Sequence, residues 1–288
     1  MTDQKWTTVV HATKKTRIDW RGLASCKDLI GLWVRRDFVA QYKQTILGPA
    51  WAIIQPFFTT VVYSIFFGDI AGLGASGVPN FVFYLSGTII WGLFANCLTH
   101  TSHTFINNSG IMGKVYFPRL VTPIATVISQ FISFFIQFSF LLIFLIYYLI
   151  TNAGIQPNWY IAMTPVLLIH TALLGMGLGM IISALTTKYR DLNMVVGFGM
   201  SLWSYASPVA YDMFGSKMGG RLAEPGLIHT LYMLNPVTPI VNMFRYAYLG
   251  CGEVEWLFYG ISWIVTIAVT LFGMWIFSRV EKTFMDTV

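Results

Sequence analysis

Long apolar stretches without Lys, Arg, Asp or Glu constrain this chain more than any other feature. A bilayer core is about 30 Å thick, and a helix needs about 20 residues to cross it. Five stretches meet or approach that length, and a sixth lies near the lower limit. Because they are continuous rather than alternating, they favour helices over membrane β-strands. The predicted spans are about 50–67, 81–103, 121–150, 159–185, 194–211 and 256–277.

The composition supports the same interpretation. Hydrophobic residues make up 56% of the 288 positions and charged residues only 10%, whereas soluble domains carry about 25% charged residues. We therefore predict an all-α integral membrane protein with six transmembrane helices. Its predicted parts are an N-terminal tail, residues 1–22, and a membrane domain, residues 23–288.

Basic residues alternate between the connections. Of the 18 Lys and Arg residues, 15 lie before the first span, in the second and fourth connections, or after the last span. The positive-inside rule then places both termini in the cytoplasm. Because topology explains the basic balance, we expect no nucleic-acid partner.

Residues 227–250 are apolar but interrupted by prolines. Asn235-Pro236 and Pro239 leave each half too short to cross a bilayer, and a seventh span would reverse the charge rule. We predict two short re-entrant helices at the outer mouth of a pathway, since broken backbone at membrane depth needs protein or water around it. An ordinary outer loop is the alternative. The predicted periplasmic gate residues are Asn235, Pro236, Pro239 and Arg245.

An amphipathic helix is predicted over residues 28–47, along the inner membrane surface. Its expected apolar side holds Val34, Phe38, Val39, Tyr42 and Ile46. The sequence leaves two roles open, a lipid anchor or a helix whose polar face contacts a cytoplasmic subunit. The candidate residues of this interface helix, with the turn that follows it, are Arg35, Arg36, Phe38, Tyr42, Lys43, Gly48 and Pro49.

Four segments carry a family resemblance in their order along the chain. They are YKQTILGPAWAIIQP (42–56), GKVYFPRLVTP (113–123), KYRDL (188–192) and LNPVTPIVNMFRYAYLG (234–250). Together they resemble bacterial ABC-type polysaccharide export permeases, above all the Wzm-type transmembrane subunits of O-antigen exporters. The resemblance covers nearly the whole chain after about Leu23.

The resemblance implies a homodimer in the bacterial inner membrane, bound to two copies of a separate cytoplasmic ATPase. The expected substrate is an undecaprenyl-linked polysaccharide. The alternatives are a teichoic-acid or capsule exporter, a drug or lipid permease, and a membrane-embedded glycolipid enzyme. The chain has no GxxxxGK[ST] phosphate-binding loop, so we expect no enzymatic activity and no cofactor in it. ATP and Mg²⁺ would then be bound by the partner ATPase.

By the same resemblance, two cytoplasmic connections couple the permease to the ATPase. The first follows the second span and has an unusually apolar tip, and the second follows the fourth span. Each has a simpler alternative, a loop folded on its own bundle or a set of positive-inside charges. The coupling candidates are Asn107, Ser109, Gly113, Lys114, Val115, Tyr116, Phe117, Arg119, Lys188, Tyr189, Arg190 and Asp191. Gly48-Pro49 is expected to turn ATPase motion into tilt of the first span.

A glycan pathway favours aromatic rings, which pack against the C–H faces of sugars. The channel-lining candidates are Tyr63, Phe66, Phe67, Trp91, Phe94, Trp203 and Tyr205. An interfacial aromatic belt or lipid-facing filler is the alternative for each.

Three smaller patterns inside the spans have structural explanations. His170 is expected to be a packed, hydrogen-bonded group rather than a proton relay. His100 and His103 lack an evident third ligand, so we predict no metal site. Glycines at 175, 177 and 179 offer a small-residue face for helix packing.

Overall fold

The computed structural model describes residues 20–112, 117–187, 189, 191–214 and 224–287, and within these ranges every regular element is helical. A 3₁₀ turn, Gly48–Ala50, leads into the helix Trp51–Tyr63, and a π-helical segment, Ser64–Ile70, extends that helix. A second 3₁₀ turn, Trp159–Met163, precedes the helix Thr164–Thr186. The helices are α1 (Trp20–Ser25), α2 (Lys27–Tyr42), α3 (Trp51–Tyr63), α4 (Asn80–Ser102), α5 (Thr104–Met112), α6 (Val121–Ile150), α7 (Thr164–Thr186), α8 (Leu192–Tyr205), α9 (Leu227–Met233), α10 (Val237–Leu249) and α11 (Trp256–Thr287).

Within the described residues, five helices are long and apolar enough to cross a membrane. They are Gly48–Ile70, Asn80–Ser102, Val121–Ile150, Trp159–Thr186 and Trp256–Val280. These agree with five of the six predicted spans, so the helical class of the prediction is confirmed.

The sixth predicted span, 194–211, is not confirmed. It falls on α8, which has 14 residues and is therefore about 21 Å long at 1.5 Å per residue. Pro208 disfavours helical geometry at Ser207, and the chain runs on without regular structure to Asp212. Six crossings remain a prediction.

The centre of the bundle is α7, which packs between α4 and α11. A Cβ on Gly175 would lie 2.9 Å from the Phe94 carbonyl oxygen, and one on Gly179 would lie 2.7 Å from the Leu98 carbonyl oxygen. Gly177 instead faces α11, where its Cβ would lie 2.8 Å from Thr270 Cα. The glycines therefore lie on two opposite faces of α7 rather than on the single face that was expected. Both faces serve packing within this bundle.

Helices α9 and α10 occupy the predicted re-entrant segment and are separated around Asn235-Pro236. α10 packs against α4, α7 and α11, and all of its residues except Tyr246 are buried. It ends at Gly250, whose φ of +72° suits glycine. Two short helices therefore exist here, while their depth in the bilayer stays a prediction.

Candidate functional site

A cleft of about 630 Å³ opens between α3, α4 and α6, with the end of α2 at one side. Each helix contributes one face, since the lining positions recur every three or four residues. The lining residues are Gln41, Tyr42, Thr45, Trp51, Ala52, Gln55, Pro56, Thr59, Tyr63, Thr88, Trp91, Gly92, Ala95, Asn96, His100, Gln130, Ser133, Gln137, Ser204 and Val209.

A polar stripe on α6 forms one wall of this cleft. Gln130, Ser133 and Gln137 lie on one face of an otherwise apolar helix, and all three are buried. The Ser133 hydroxyl lies 3.1 Å from the Tyr42 hydroxyl, which ties the end of α2 to the middle of α6. The two glutamine amides have no hydrogen-bond partner among the described residues.

The facing walls on α3 and α4 add hydroxyls, two amides and the rings of Trp51, Tyr63 and Trp91. Thr59 on α3 and Thr88 on α4 bond to carbonyls one turn earlier in their own helices, Gln55 and Tyr84 respectively, at 3.0 and 2.7 Å. Such bonds satisfy a hydroxyl inside the membrane while its oxygen can still accept from a ligand. Asn96 contributes the amide on α4.

The described lining is polar, and His100 is its one basic side chain. None of the described residues that line the cleft is Lys, Arg, Asp or Glu. Amides and hydroxyls both donate and accept hydrogen bonds, and aromatic rings supply apolar faces. This chemistry suits a molecule with many hydroxyl groups, and it offers neither a paired acid and base nor a nucleophile activated by a base.

The seven predicted channel residues separate into different environments. Tyr63 and Trp91 line the cleft. Phe94 is buried in the core, 5.1 Å from the ring of Trp203, so it does not line this cleft. Trp203 packs behind Trp91, with ring centres 6.4 Å apart. The remaining three lie elsewhere: Phe66 and Tyr205 are exposed, and Phe67 packs against the core.

The polar lining residues were missed in the sequence-based prediction, which concentrated on aromatic rings. A signal for them was present, because Gln130, Ser133 and Gln137 follow a helical spacing within an apolar span. Polar groups inside a membrane are costly and mark pathways. The contributions of Gln55 and Asn96 had no comparable periodic signal.

One end of the bundle joins α2 to the connection that is predicted to contact the ATPase. The rings of Trp33 and Phe117 meet edge to face, with centres 5.5 Å apart. Arg36 lies over the Trp33 ring at 4.2 Å and donates to the Asn108 side-chain oxygen at 3.2 Å. We call these four residues, Trp33, Arg36, Asn108 and Phe117, the α2–α5 clamp.

The coupling candidates are only partly within the described residues. Asn107 is exposed on α5, and Ser109 also lies on that helix. Phe117 is only 7% exposed, so its ring packs within this chain. Arg119 is half-buried, while Tyr189 and Asp191 are exposed before α8. Gly113, Lys114, Val115, Tyr116, Lys188 and Arg190 lie outside the described residues. ATPase contact stays a prediction for all of them.

The buried face of α2 differs from the expected apolar face. Tyr42 is buried and Val34 packs against the core, as expected. Val39 is exposed, Ile46 is fully exposed, and Trp33 is buried instead. The α-helix ends at Tyr42 rather than near residue 47, and Gly48 adopts a φ of +53°. The reason is that α2 packs against α6, and this contact determines which residues of α2 are buried.

The other residues assigned to this interface segment lie at its surface. Arg35 and Lys43 are exposed, and Phe38 is half-buried with its ring 5.0 Å from that of Tyr42. Pro49 occupies the first turn of the 3₁₀ segment, where its missing N–H costs little. The helix break predicted at Gly48-Pro49 is therefore present.

The predicted gate residues fasten α8 to α10. The Asn235 side chain accepts from the Trp203 indole N–H at 3.0 Å and donates to the Ala206 carbonyl at 3.1 Å. Pro236, at the start of α10, accepts a hydrogen bond from Ser262 at 2.7 Å. Pro239 is buried in the first turn of α10. These contacts join the end of one helix to the start of another.

Arg245 is buried and serves as a cap for the chain beyond α8. Its guanidinium donates to the carbonyls of Pro208, of Val209 at 2.8 Å and of Tyr211 at 3.3 Å. Its Cζ atom lies 3.8 Å from the centre of the Phe83 ring. The side chain thus satisfies carbonyls that a continued helix would have bonded internally.

The histidines have the local roles expected of packed groups. His170 Nε2 lies 3.0 Å from the Thr266 hydroxyl, and its ring stacks on Trp263 with centres 4.1 Å apart. His103 Nδ1 lies 2.7 Å from the Thr99 carbonyl. The prediction that His170 is a packed, hydrogen-bonded group is confirmed.

Comparison with known proteins places these features in a family. Residues 28–249 match the family described as ABC-2 type transporter. The chain is 26% identical over 262 residues to an O-antigen export system permease protein RfbA of Klebsiella pneumoniae, covering 90% of this chain and 94% of the relative. It is 23% identical to a protein of the same name from Myxococcus xanthus, covering 78% and 82%. The chain therefore belongs to the ABC-2 type transporter family and is a membrane-spanning permease of that family.

Proposed function

We propose that this chain is the transmembrane subunit of an ATP-driven exporter of a lipid-linked polysaccharide, of the O-antigen type. The observation that carries the proposal is the cleft, whose amides, hydroxyls and rings form an uncharged polar surface between membrane-spanning helices. A purely lipid-facing bundle would gain nothing from such a surface, because polar groups are costly in hydrocarbon. The names of the relatives from Klebsiella pneumoniae and Myxococcus xanthus point to the same cargo.

The chain would work as a homodimer in the bacterial inner membrane, with both termini in the cytoplasm. The first span, Gly48–Ile70, buries few of its residues within the chain, which leaves surface for a second copy. Two copies of a cytoplasmic ABC ATPase would bind ATP and Mg²⁺ and supply the energy.

The α2–α5 clamp is the proposed route of force into the permease. It joins the first coupling connection to α2, and Tyr42 at the end of α2 reaches the cleft wall at Ser133. A displacement of the coupling connection would therefore move the cleft wall at Tyr42 and Ser133, because packed helices shift as units.

The test is deletion of the gene in its own bacterium, with the wild-type gene returned on a plasmid. We expect loss of the surface polysaccharide, accumulation of lipid-linked glycan on the cytoplasmic side, and recovery with the plasmid. Mass spectrometry of the accumulated glycan separates O-antigen from teichoic-acid or capsule cargo. Unchanged surface polysaccharide, with no trapped glycan, would refute the proposal.

A second measurement addresses the driving subunit. Purified permease in lipid nanodiscs should not hydrolyse ATP, whereas its complex with the partner ATPase should. ATP hydrolysis by the permease alone would contradict the assignment of the chemistry to a partner.

A further inference from the structure

Two glutamine side chains on α6 face the cleft without hydrogen-bond partners among the described residues. Gln130 is 5% exposed and Gln137 is 9% exposed, and both line the cavity. They lie two helical turns apart, about 10 Å along the axis. No hydrogen bond connects either amide to another described residue.

Most buried polar side chains in proteins are paired, whereas these two amides have no hydrogen-bond partner among the described residues. Their nitrogen and oxygen atoms are not fully buried and remain accessible from the cleft. Both amides can therefore form hydrogen bonds with a ligand in the cleft. Each amide carries two donors and one acceptor oxygen, which matches hydroxyl groups that both donate and accept.

The opposite wall of the cleft adds further neutral hydrogen-bonding groups. Gln55 and Thr59 lie on α3, and Asn96 lies on α4. Tyr63 and Trp91 add aromatic rings to the same lining. The combination of amides with rings suits the alternating hydroxyl and C–H surfaces of a sugar.

The lack of charge in the lining has a consequence for anionic ligands. A carboxylate or phosphate that enters a cleft between membrane helices loses hydration, and burial of an unpaired charge is strongly unfavourable. No Lys or Arg lies among the described residues that line the cleft. A neutral hydroxyl-rich segment has no such electrostatic cost.

We propose that this cleft binds an uncharged, hydroxyl-rich segment of the cargo through Gln130 and Gln137, and that it selects against anionic segments. The inference rests on the proposed function, since it names the cargo chemistry accepted by the same cleft. Gln130 and Gln137 are the specificity-determining residues.

The experiment uses full-length permease in nanodiscs of uncharged phosphatidylcholine, so that the lipid does not repel an anionic probe. The probes are maltoheptaose, which is neutral, and heptagalacturonate, which is anionic and of the same length. Saturation-transfer NMR and tryptophan fluorescence report binding, because Trp51 and Trp91 line the cleft. The wild-type protein should bind the neutral probe at least about tenfold more tightly, as unpaired buried charge is disfavoured.

The first variant is the double substitution Gln130→Leu with Gln137→Leu. It should weaken binding of the neutral probe roughly tenfold, since each amide hydrogen bond contributes modestly. Its thermal unfolding temperature should stay close to that of the wild type, because the two side chains line a cleft rather than a closed core. The matched control is Gln156→Leu in the exposed loop outside the cleft, which should leave binding unchanged.

The second variant, Gln55→Arg, places a cation in the lining at an exposed position. It should raise the relative affinity for the anionic probe severalfold. The inference is overturned if wild-type protein binds no neutral probe, or binds the anionic probe equally well. It is also overturned if the double leucine variant binds the neutral probe as tightly as the wild type does. None of these outcomes affects the deletion phenotype, which tests export separately.

Discussion

At the residue scale, one buried cation governs how the chain leaves α8. Arg245 donates hydrogen bonds to three carbonyls of the non-helical segment that begins after Tyr205. In hydrocarbon, backbone carbonyls without partners cost several kcal/mol each, approximately. The guanidinium thus allows residues 206–211 to stay non-helical, and we propose that they complete the crossing that α8 begins.

Gly87 provides a test of this cap. A Cβ at Gly87 would collide with the Arg245 guanidinium and would lie 3.2 Å from the Val209 carbonyl oxygen. We expect Gly87→Ala to destabilise the protein by about 1–3 kcal/mol, as overpacking in a tight core does. Thermal unfolding in detergent measures the loss.

Gly197→Ala is the matched control, since a Cβ there meets nothing within 4 Å. It should be neutral or slightly stabilising, because alanine favours helix more than glycine does. Equal unfolding temperatures for the two variants would show that Arg245 has room to move and that the cap is dispensable.

At the element scale, α2 connects the predicted cytoplasmic side to the cleft. The helix takes part in the α2–α5 clamp, and its last residue, Tyr42, forms the hydrogen bond with Ser133. The helix then ends, and Gly48-Pro49 starts a new direction for α3. A stiff helix with a joint after it can transmit motion, which a flexible loop cannot do.

The clamp itself can be tested with Trp33→Ala. Loss of the ring removes the contacts of Phe117 and Arg36, so motion of the coupling connection should no longer reach α2. In the reconstituted complex, we expect export to fall several times more than ATP hydrolysis. Trp159→Ala, at an exposed ring, serves as control; export and hydrolysis that fall in parallel would exclude a role in transmission.

The joint is tested by Gly48→Ala. Gly48 has a φ of +53°, a conformation that costs an L-residue about 1–2 kcal/mol. The strain should shift the direction of α3, and export should fall while ATP hydrolysis continues. Glycan export and phosphate release are measured on the same preparation.

Gly31→Ala gives the comparison for this joint. Gly31 lies inside α2, and a Cβ there has open space, so export should match the wild type. If the Gly48 variant also exports normally, the joint has no part in coupling.

At the scale of the whole molecule, the number of crossings decides which loops share a side of the membrane. Among the residues that the structure describes, five helices are long enough to span, and the proposed sixth crossing combines α8 with residues 206–211. With six crossings, both termini lie in the cytoplasm, which agrees with the distribution of Lys and Arg.

Cysteine labelling in a cysteine-free background distinguishes a topology in which α8 crosses the membrane from one in which it does not. We expect Ser76→Cys, Glu224→Cys and Glu253→Cys to react with a membrane-impermeant maleimide in spheroplasts, since all three positions are exposed. Tyr189→Cys should react only after permeabilisation. Protection of position 224, with labelling at 76, would mean that α8 does not cross and that the sixth span must be abandoned.

The sequence alone determined the helical class, five spans and the positions of the two short helices before the last span. These follow from local requirements: hydrocarbon demands that backbone hydrogen bonds close within a segment, and Asn235-Pro236 interrupts a helix wherever it stands. The resemblance to ABC-type polysaccharide export permeases was likewise carried by contiguous segments. The family match over residues 28–249 and the similarity to O-antigen export permeases together confirmed it.

Only the tertiary structure decided which side chains face one another. Phe94 and Trp91 are three residues apart on one helix, yet Phe94 is in the core while Trp91 lines the cleft. Phe117 packs against Trp33, 84 positions earlier in the chain. The cleft and the Arg245 cap likewise depend on contacts between residues that are far apart in the sequence. The composition of a single span sets whether it enters the membrane, but burial within the bundle depends on which helix faces it, and that pairing joins residues far apart in sequence.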